Sequence, residues 1–236
     1  RASLDFGYQE QRVDAPYLSM VVAPGVTVPE PPKSGSNPFQ AWSFNDARDF
    51  FGAVRGEYDI TDHITAYAAV GYKDDLSVLL SSYQEIEDTA GNTTVYPYFE
   101  PYFTRNLAAE SGLRTTFETA SIDHALNVGV TTHYVRIGYS DTFFSDFASN
   151  IYNRVDGPEP STSGLSEDPN LAAKYLLTSV AVADTVSFGG DRIQITGGMR
   201  AQKIKVDNFD VITGAKTSSY NEGALTPAVS FVVRPF

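Results

Sequence analysis

The stretch Phe50-Phe51-Gly52-Ala53-Val54-Arg55-Gly56-Glu57-Tyr58-Asp59-Ile60-Thr61-Asp62-His63-Ile64-Thr65-Ala66-Tyr67-Ala68-Ala69-Val70-Gly71-Tyr72 decides the fold class. Taken two residues at a time, Phe50, Gly52, Val54, Gly56, Tyr58 and Ile60 fall on one face. Phe51, Ala53, Arg55, Glu57 and Asp59 fall on the other. That is the period of a β-strand with one apolar side. Thr61-Asp62-His63 reverses the chain, because Asp and Thr side chains hydrogen-bond their own backbone in turns. A second strand follows at once, with Ile64, Ala66, Ala68, Val70 and Tyr72 on its apolar face. Two strands joined so tightly form an antiparallel hairpin.

The same alternation recurs outward from this hairpin. Upstream, Ala2, Leu4, Phe6 and Tyr8 alternate with Ser3, Asp5, Gly7 and Gln9. Downstream, strands are predicted over about 103–117, through Leu126, Val128, Val130 and Tyr134, over about 175–188, from 193 to about 202, and from 225 to 233. Tight turns are expected at 118–123 and at Gly189-Gly190-Asp191, the latter a hairpin signal. Between these hairpins lie stretches rich in Pro, Ser, Asn, Gly and acids, over about 14–45, 74–102, 140–174 and 207–222. Long and short connections therefore alternate strictly, which puts every long loop at one end of the sheet and every short turn at the other. Transmembrane β-barrels are built in this way. A complete small barrel of eight strands and a soluble β-sandwich are built from similar strands and stay open as alternatives.

Composition fits strands and excludes several chemistries. The 236 residues contain 14 Tyr and 15 Phe but 2 Met, and residue types that favour strands outweigh those that favour long helices. The absence of Cys rules out disulfides, thiolate metal sites and thiol nucleophiles. A net charge of −12, from 17 basic and 29 acidic side chains, argues against nucleic acid as a partner. No apolar run reaches the ~18–20 residues of a spanning helix. His63, His124 and His133 have no metal-ligand spacing, the acidic clusters Asp74-Asp75, Glu85/Glu87/Asp88 and Glu167-Asp168 lack a calcium-loop pattern, and no phosphate-cradling or nucleophile-elbow motif occurs. Nothing here points to an enzyme, a cofactor or a metal.

Aromatic residues gather where strands meet the long loops. Trp42 and Phe44 close the first loop, and Tyr96, Tyr98, Phe99 and Tyr102, interrupted by Pro97 and Pro101, close the second. Such residues serve either as an interfacial girdle or as aromatic walls of a ligand-binding mouth. From facing and height, His133 and Tyr102 are further candidates for the mouth.

Four stretches resemble the barrel region of TonB-dependent siderophore receptors. They are Gly56–Asp62 running into Thr65–Tyr72; Arg105–Arg114 continuing through Phe117-Glu118-Thr119; Ser179–Phe188 with Gly197-Gly198-Met199-Arg200; and Thr226–Ser230 continuing to Arg234-Pro235-Phe236. The resemblance covers about 46–236. It implies an all-β, antiparallel, up-and-down transmembrane barrel in the bacterial outer membrane. Residues 1–236 would supply about eight strands of a 22-stranded, plugged barrel. The plug domain, the segment that meets TonB and the remaining strands would lie elsewhere in a longer parent chain. The implied task is import of a ferric siderophore. Its partners would be the siderophore, the plug of the same parent chain, TonB through the missing N-terminal region, and outer-membrane lipid. In that setting Trp42, Phe44, Tyr96, Tyr98, Tyr102 and His133 are expected to contact ligand. Asn106, Glu110, Arg114, Gln194, Arg200 and Gln202, which alternate with apolar neighbours, are expected to face the lumen.

Overall fold

The computed structural model describes residues 1–190 and 192–234, so Asp191 of the Gly189-Gly190-Asp191 turn and the Pro235-Phe236 pair lie outside the described residues. Among the described residues every regular element is a strand: β1 (Ala2–Asp14), β2 (Met20–Val22), β3 (Phe44–Thr61), β4 (Ile64–Ile86), β5 (Asn92–Thr119), β6 (Ile122–Tyr139), β7 (Thr142–Phe143), β8 (Phe147–Asn150), β9 (Leu171–Phe188), β10 (Ile193–Phe209) and β11 (Lys216–Val233). The long strands form one antiparallel meander in the order β1-β3-β4-β5-β6-β9-β10-β11. Short β2 adds to β4, and β7 and β8 add to β5.

Register carries the side-chain alternation across the whole sheet. The row Leu4–Val54–Val70–Ala109–Thr132–Thr178 lies on one face, and the next row, Ser3–Arg55–Ala69–Glu110–Thr131–Ser179, on the other. The first face is apolar over most of its height and open: Leu113 is 47 % exposed, Val180 53 % and Val229 67 %. Those exposures overturn the sandwich alternative, because a sandwich would cover that face with a second sheet. The closed eight-stranded barrel is not formed either, since β1 and β11 are the two edges of the sheet. The opposite face is concave and encloses a trough of about 580 Å³.

Two of the four expected long loops are strands. β4 runs for 23 residues and β5 for 28, so 74–102 is a hairpin rising beyond the rest of the sheet, and Asp74-Asp75 belongs to β4. Pro97 and Pro101 mask this in the sequence, because proline normally ends a central strand. Here the Pro97 carbonyl accepts from the Phe144 N–H and the Pro101 carbonyl from the Ser140 N–H. A strand residue's N–H and C=O project to the same side, so the N–H groups these prolines lack would point away from β4. The β4–β5 ladder stays unbroken. The stretch expected as a loop over 207–222 shrinks to a turn between Phe209 and Lys216. In that turn the Asp210 carboxylate accepts from the Ile212 and Thr213 N–H groups and from the Thr213 hydroxyl.

The first and third loops are irregular apart from the short strands β2, β7 and β8, and they pack together. Phe39, Gln40 and Ser43 are fully buried, the Trp42 indole donates to the Gly157 carbonyl at 3.1 Å, and Arg154 donates to the Phe39 carbonyl at 2.9 Å. Beneath them Val78, Leu80 and Phe99 form a small core, flanked by Trp42, Phe44, Phe144 and Leu165.

Near the opposite, turn-bearing end, Tyr67 lies over Gly112 and Gly129 on the concave face. A Cβ at Gly129 would stand 2.7 Å from the Tyr67 Oη, and one at Gly112 would meet both the Val128 carbonyl and the ring. These two glycines are therefore demanded by close approach. On the apolar face, His124 Nδ1 lies 2.8 Å from Asp184 Oδ2, and the imidazole stacks on Phe117. The pairing explains how an aspartate shares a face with Val180, Val182 and Val186.

Candidate functional site

The concave face holds the chemistry. Its trough is lined by Asp5, Arg55, Glu110, His133, Arg200 and Gln202, among others. All six positions expected to face a lumen lie on this side. Asn106 is opposite Lys73 and Val135, Glu110 is opposite Ala69 and Thr131, and Arg114 is opposite Thr65 and Asn127. Gln194, Arg200 and Gln202 are opposite Ser187, Ala181 and Ser179. The reason is parity alone, since each is an odd number of residues from an apolar neighbour that faces out.

Several charged residues here form pairs. Arg114 bonds to Glu57, which Arg55 also approaches at 3.1 Å, and the Arg114 guanidinium sits 4.9 Å above the Tyr67 ring. Higher up, Lys73 pairs with Asp75 and stands 3.8 Å from Asp49, which Gln9 also bonds at 2.6 Å. Of the charges that line the trough, Arg55 is paired in this way, whereas Asp5, Glu110 and Arg200 form no ion pair among the described residues.

The aromatic residues divide. Tyr96, Tyr98 and Tyr102 line the concave side of the β4–β5 hairpin, and two more rings join them: Tyr83 lies 5.8 Å from Tyr96, and Phe143 lies 5.9 Å from Tyr98. Tyr139 faces Tyr102 across the β5–β6 ladder. Trp42 and Phe44 do not join them. Phe44 shares a row with Leu80 and Phe99, on the other face, and its ring lies under Arg12 at 4.2 Å. Both residues hold loops together instead of lining the mouth. His133 also departs from expectation. It pairs with Ala108, six residues along β5 from Tyr102, which at ~3.3 Å per residue is roughly 20 Å deeper.

Glu100 was not legible as a site residue. Burial raises its carboxyl pKa to about 7, and the neighbouring Asp141 carboxyl pushes in the same direction. Burial also raises the Tyr98 phenol. The available signal was the alternation Tyr96, Tyr98, Glu100, Tyr102 and Thr104, which the intervening prolines obscured.

A long-stranded, two-faced meander with tall hairpins at one end and tight turns at the other is the architecture of a large membrane barrel wall. The family model for the TonB dependent receptor-like β-barrel matches residues 2–236. The chain belongs to that family. Among curated proteins it is 27% identical over 238 residues to the ferrichrome receptor FcuA of Yersinia enterocolitica, covering 100% of this chain and 31% of that one. The receptor barrel of BauA, the ferric preacinetobactin receptor of Acinetobacter baumannii, superposes with a TM-score of 0.85 at 24% identity, over 100% of this chain and 35% of BauA. The siderophore receptor PiuA of the same organism gives a TM-score of 0.72 at 13% identity, over 100% of this chain and 38% of PiuA. This chain thus spans about a third of the length of these receptors.

Proposed function

We propose that this chain forms part of the wall and outer mouth of an outer-membrane receptor that imports a ferric siderophore. One observation carries the reading beyond family membership: the sheet separates a largely apolar, exposed outward face from a polar concave face. The apolar face suits the hydrocarbon of the membrane. The concave face suits a plug domain of the same parent chain and a hydrated solute passing beside it.

In this reading Asn106, Glu110, Arg114, Gln194, Arg200 and Gln202 face the lumen. His133 contributes at mid-depth, where a plug would reach. Tyr96, Tyr98 and Tyr102, with Tyr83, Phe143 and Tyr139, form an aromatic surface at the mouth. Aromatic faces with phenolic hydroxyls bind an iron chelate by apolar contact and hydrogen bonding, with no covalent step. Trp42 and Phe44 act indirectly, by fixing the loops around that surface. Energy would come from TonB through a segment outside this chain.

The test is uptake of radiolabelled iron by cells whose own siderophore receptors are deleted and which express the full-length parent protein. Uptake with at least one siderophore, abolished by loss of TonB and reduced by Tyr98→Ala together with Tyr102→Ala, is the expected result. TonB-independent uptake, or none with any siderophore offered, would overturn the proposal.

A further inference from the structure

The upper part of the concave face is acidic. From the row of Phe51, Lys73 and Asn106 toward the tall hairpin, the charged side chains on this face of the described strands are Asp49, Lys73, Asp75, Glu85 and Glu100, joined by Asp141 between β6 and β7. Lys73 is the single base among them; it pairs with Asp75 and stands 3.8 Å from Asp49. Carboxyl groups also surround the aromatic surface. Burial raises the Tyr96 phenol pKa, and Glu85, Glu87 and Asp146 add to the shift. Burial does the same at Tyr98, with Glu100 and Asp141 adding to it.

Register brings two of these carboxyl groups face to face. Tyr102 is opposite Tyr139, the Ser140 N–H donates to the Pro101 carbonyl at 3.2 Å, and Phe99 and Tyr98 are opposite Thr142 and Phe143. Counted along both segments, Glu100 falls opposite Asp141, a position in which Cβ atoms are ~4.5–5.5 Å apart. Like charges placed so destabilise a sheet unless something neutralises them. Among the described residues neither carboxyl has a basic partner. A proton does part of this work, since burial and then the Asp141 carboxyl raise the Glu100 pKa to about 7.

The surroundings suit an organic cation better than a proton. On the same face the carboxyl pair has an aromatic pair on either side: Tyr98 with Phe143, ring centroids 5.9 Å apart, and Tyr102 opposite Tyr139. Ring faces attract ammonium groups. Ser81 of β4 shares this face, opposite Tyr98 and diagonal to Glu100; it is fully buried and its Oγ has no hydrogen-bond partner, which leaves an acceptor for an N–H donor. Diagonal positions are ~7–8 Å apart, close enough for one ligand group to meet both. A metal ion fits less well. Hard cations take about six or more oxygen ligands, and among the described residues no third His, Asp or Glu completes a cluster with the pair.

We propose that Glu100 and Asp141 bind the free ammonium group of a cationic ferric siderophore, held between the Tyr98–Phe143 and Tyr102–Tyr139 pairs. This rests on the siderophore-receptor reading above and narrows it to a class: chelates with a pendant protonated amine and no net negative charge. The ammonium replaces the shared proton, and the rings receive the alkyl chain that carries it. A trianionic ferric tris-catecholate meets the same carboxylates as repulsion, with Lys73 already engaged.

The experiment uses the full-length receptor in neutral detergent and follows quenching of its intrinsic fluorescence by three iron chelates. They are a linear ferric trihydroxamate with a terminal ammonium (ferrioxamine B), the same chelate N-acetylated and so neutral, and a ferric tris-catecholate. The ammonium form should bind at least about tenfold tighter than the acetylated form, as expected of a charge-assisted contact. Glu100→Gln combined with Asp141→Asn should erase most of that difference. Asp62→Asn, in the turn at the other end of the wall, should leave it unchanged. Heat-modifiable gel mobility confirms that each variant is folded. Failure to bind the ammonium form, equal binding of the acetylated form, an undiminished difference in the double variant, or tightest binding of the tris-catecholate would each overturn the proposal. TonB-dependent uptake of iron from any siderophore tests the transport reading separately, so any of these results with uptake intact refutes the ammonium site alone.

Discussion

The contact of Tyr67 with Gly112 and Gly129 makes a quantitative prediction about the wall. A Cβ at Gly129 would come within 2.7 Å of the Tyr67 Oη and 3.6 Å of the Ser111 carbonyl. The tight neighbour is thus the far end of a side chain that is free to swing. A Cβ at Gly112 would overlap the Val128 carbonyl as well as the Tyr67 ring, and a carbonyl inside a ladder cannot move alone. Overpacking of this kind costs about 1–3 kcal/mol. Gly112→Ala belongs at the upper end and Gly129→Ala at the lower. Displacing the ring also weakens its hydrogen bond to Asn127, at 3.2 Å, and its contact with Arg114, the latter worth about 0.5–1 kcal/mol where exposed. The assay is urea unfolding of the full-length receptor in detergent for both alanine variants, alone and combined with Tyr67→Ala. Removing the ring should rescue Gly129→Ala almost fully, giving a coupling of about 1 kcal/mol or more. It should rescue Gly112→Ala only in part. Equal costs for the two glycines, or full rescue at both, would refute the steric reasoning.

Three further outcomes follow from the loops and hairpins. The Glu100 pKa is raised to about 7, so the protonated hairpin is favoured below the ordinary carboxylate range, and that stability is lost as pH rises through about 7. Hydrogen exchange of 94–104 should therefore speed up between pH 5 and 8 after correction for intrinsic rates, and Glu100→Gln should flatten the change. Trp42→Ala removes the indole bond to Gly157 and part of the packing over Leu80 and Phe99; limited proteolysis within 144–165 should accelerate severalfold while the barrel stays folded. Asp210→Ala removes the acceptor of three bonds in the β10–β11 turn, costing about 1 kcal/mol locally, and should raise exchange at 210–216 without affecting β5.

Period-two alternation was sufficient to establish the strands, their apolar face and the direction of Asn106, Glu110, Arg114, Gln194, Arg200 and Gln202. Facing is local: it follows from parity along one strand and needs no partner. The tight turn at 61–63 was legible for the same reason. Strand length was not. Whether 76–86 and 92–102 form a loop or a hairpin depends on which neighbour each backbone group meets, and only pairing shows that the N–H groups missing at Pro97 and Pro101 point away from β4. Depth was not legible either, because register between strands decides that His133 sits far below Tyr102. Phe44 faces away from the mouth by the same parity as Phe50 and Val54, whereas Trp42 is held by Gly157 of a loop distant in sequence, a contact that alternation along one strand does not show. The sequence by itself determined what each strand shows to either side. Tertiary structure alone decided what stands at the same height, since height is a relation between strands and alternation is a property of one.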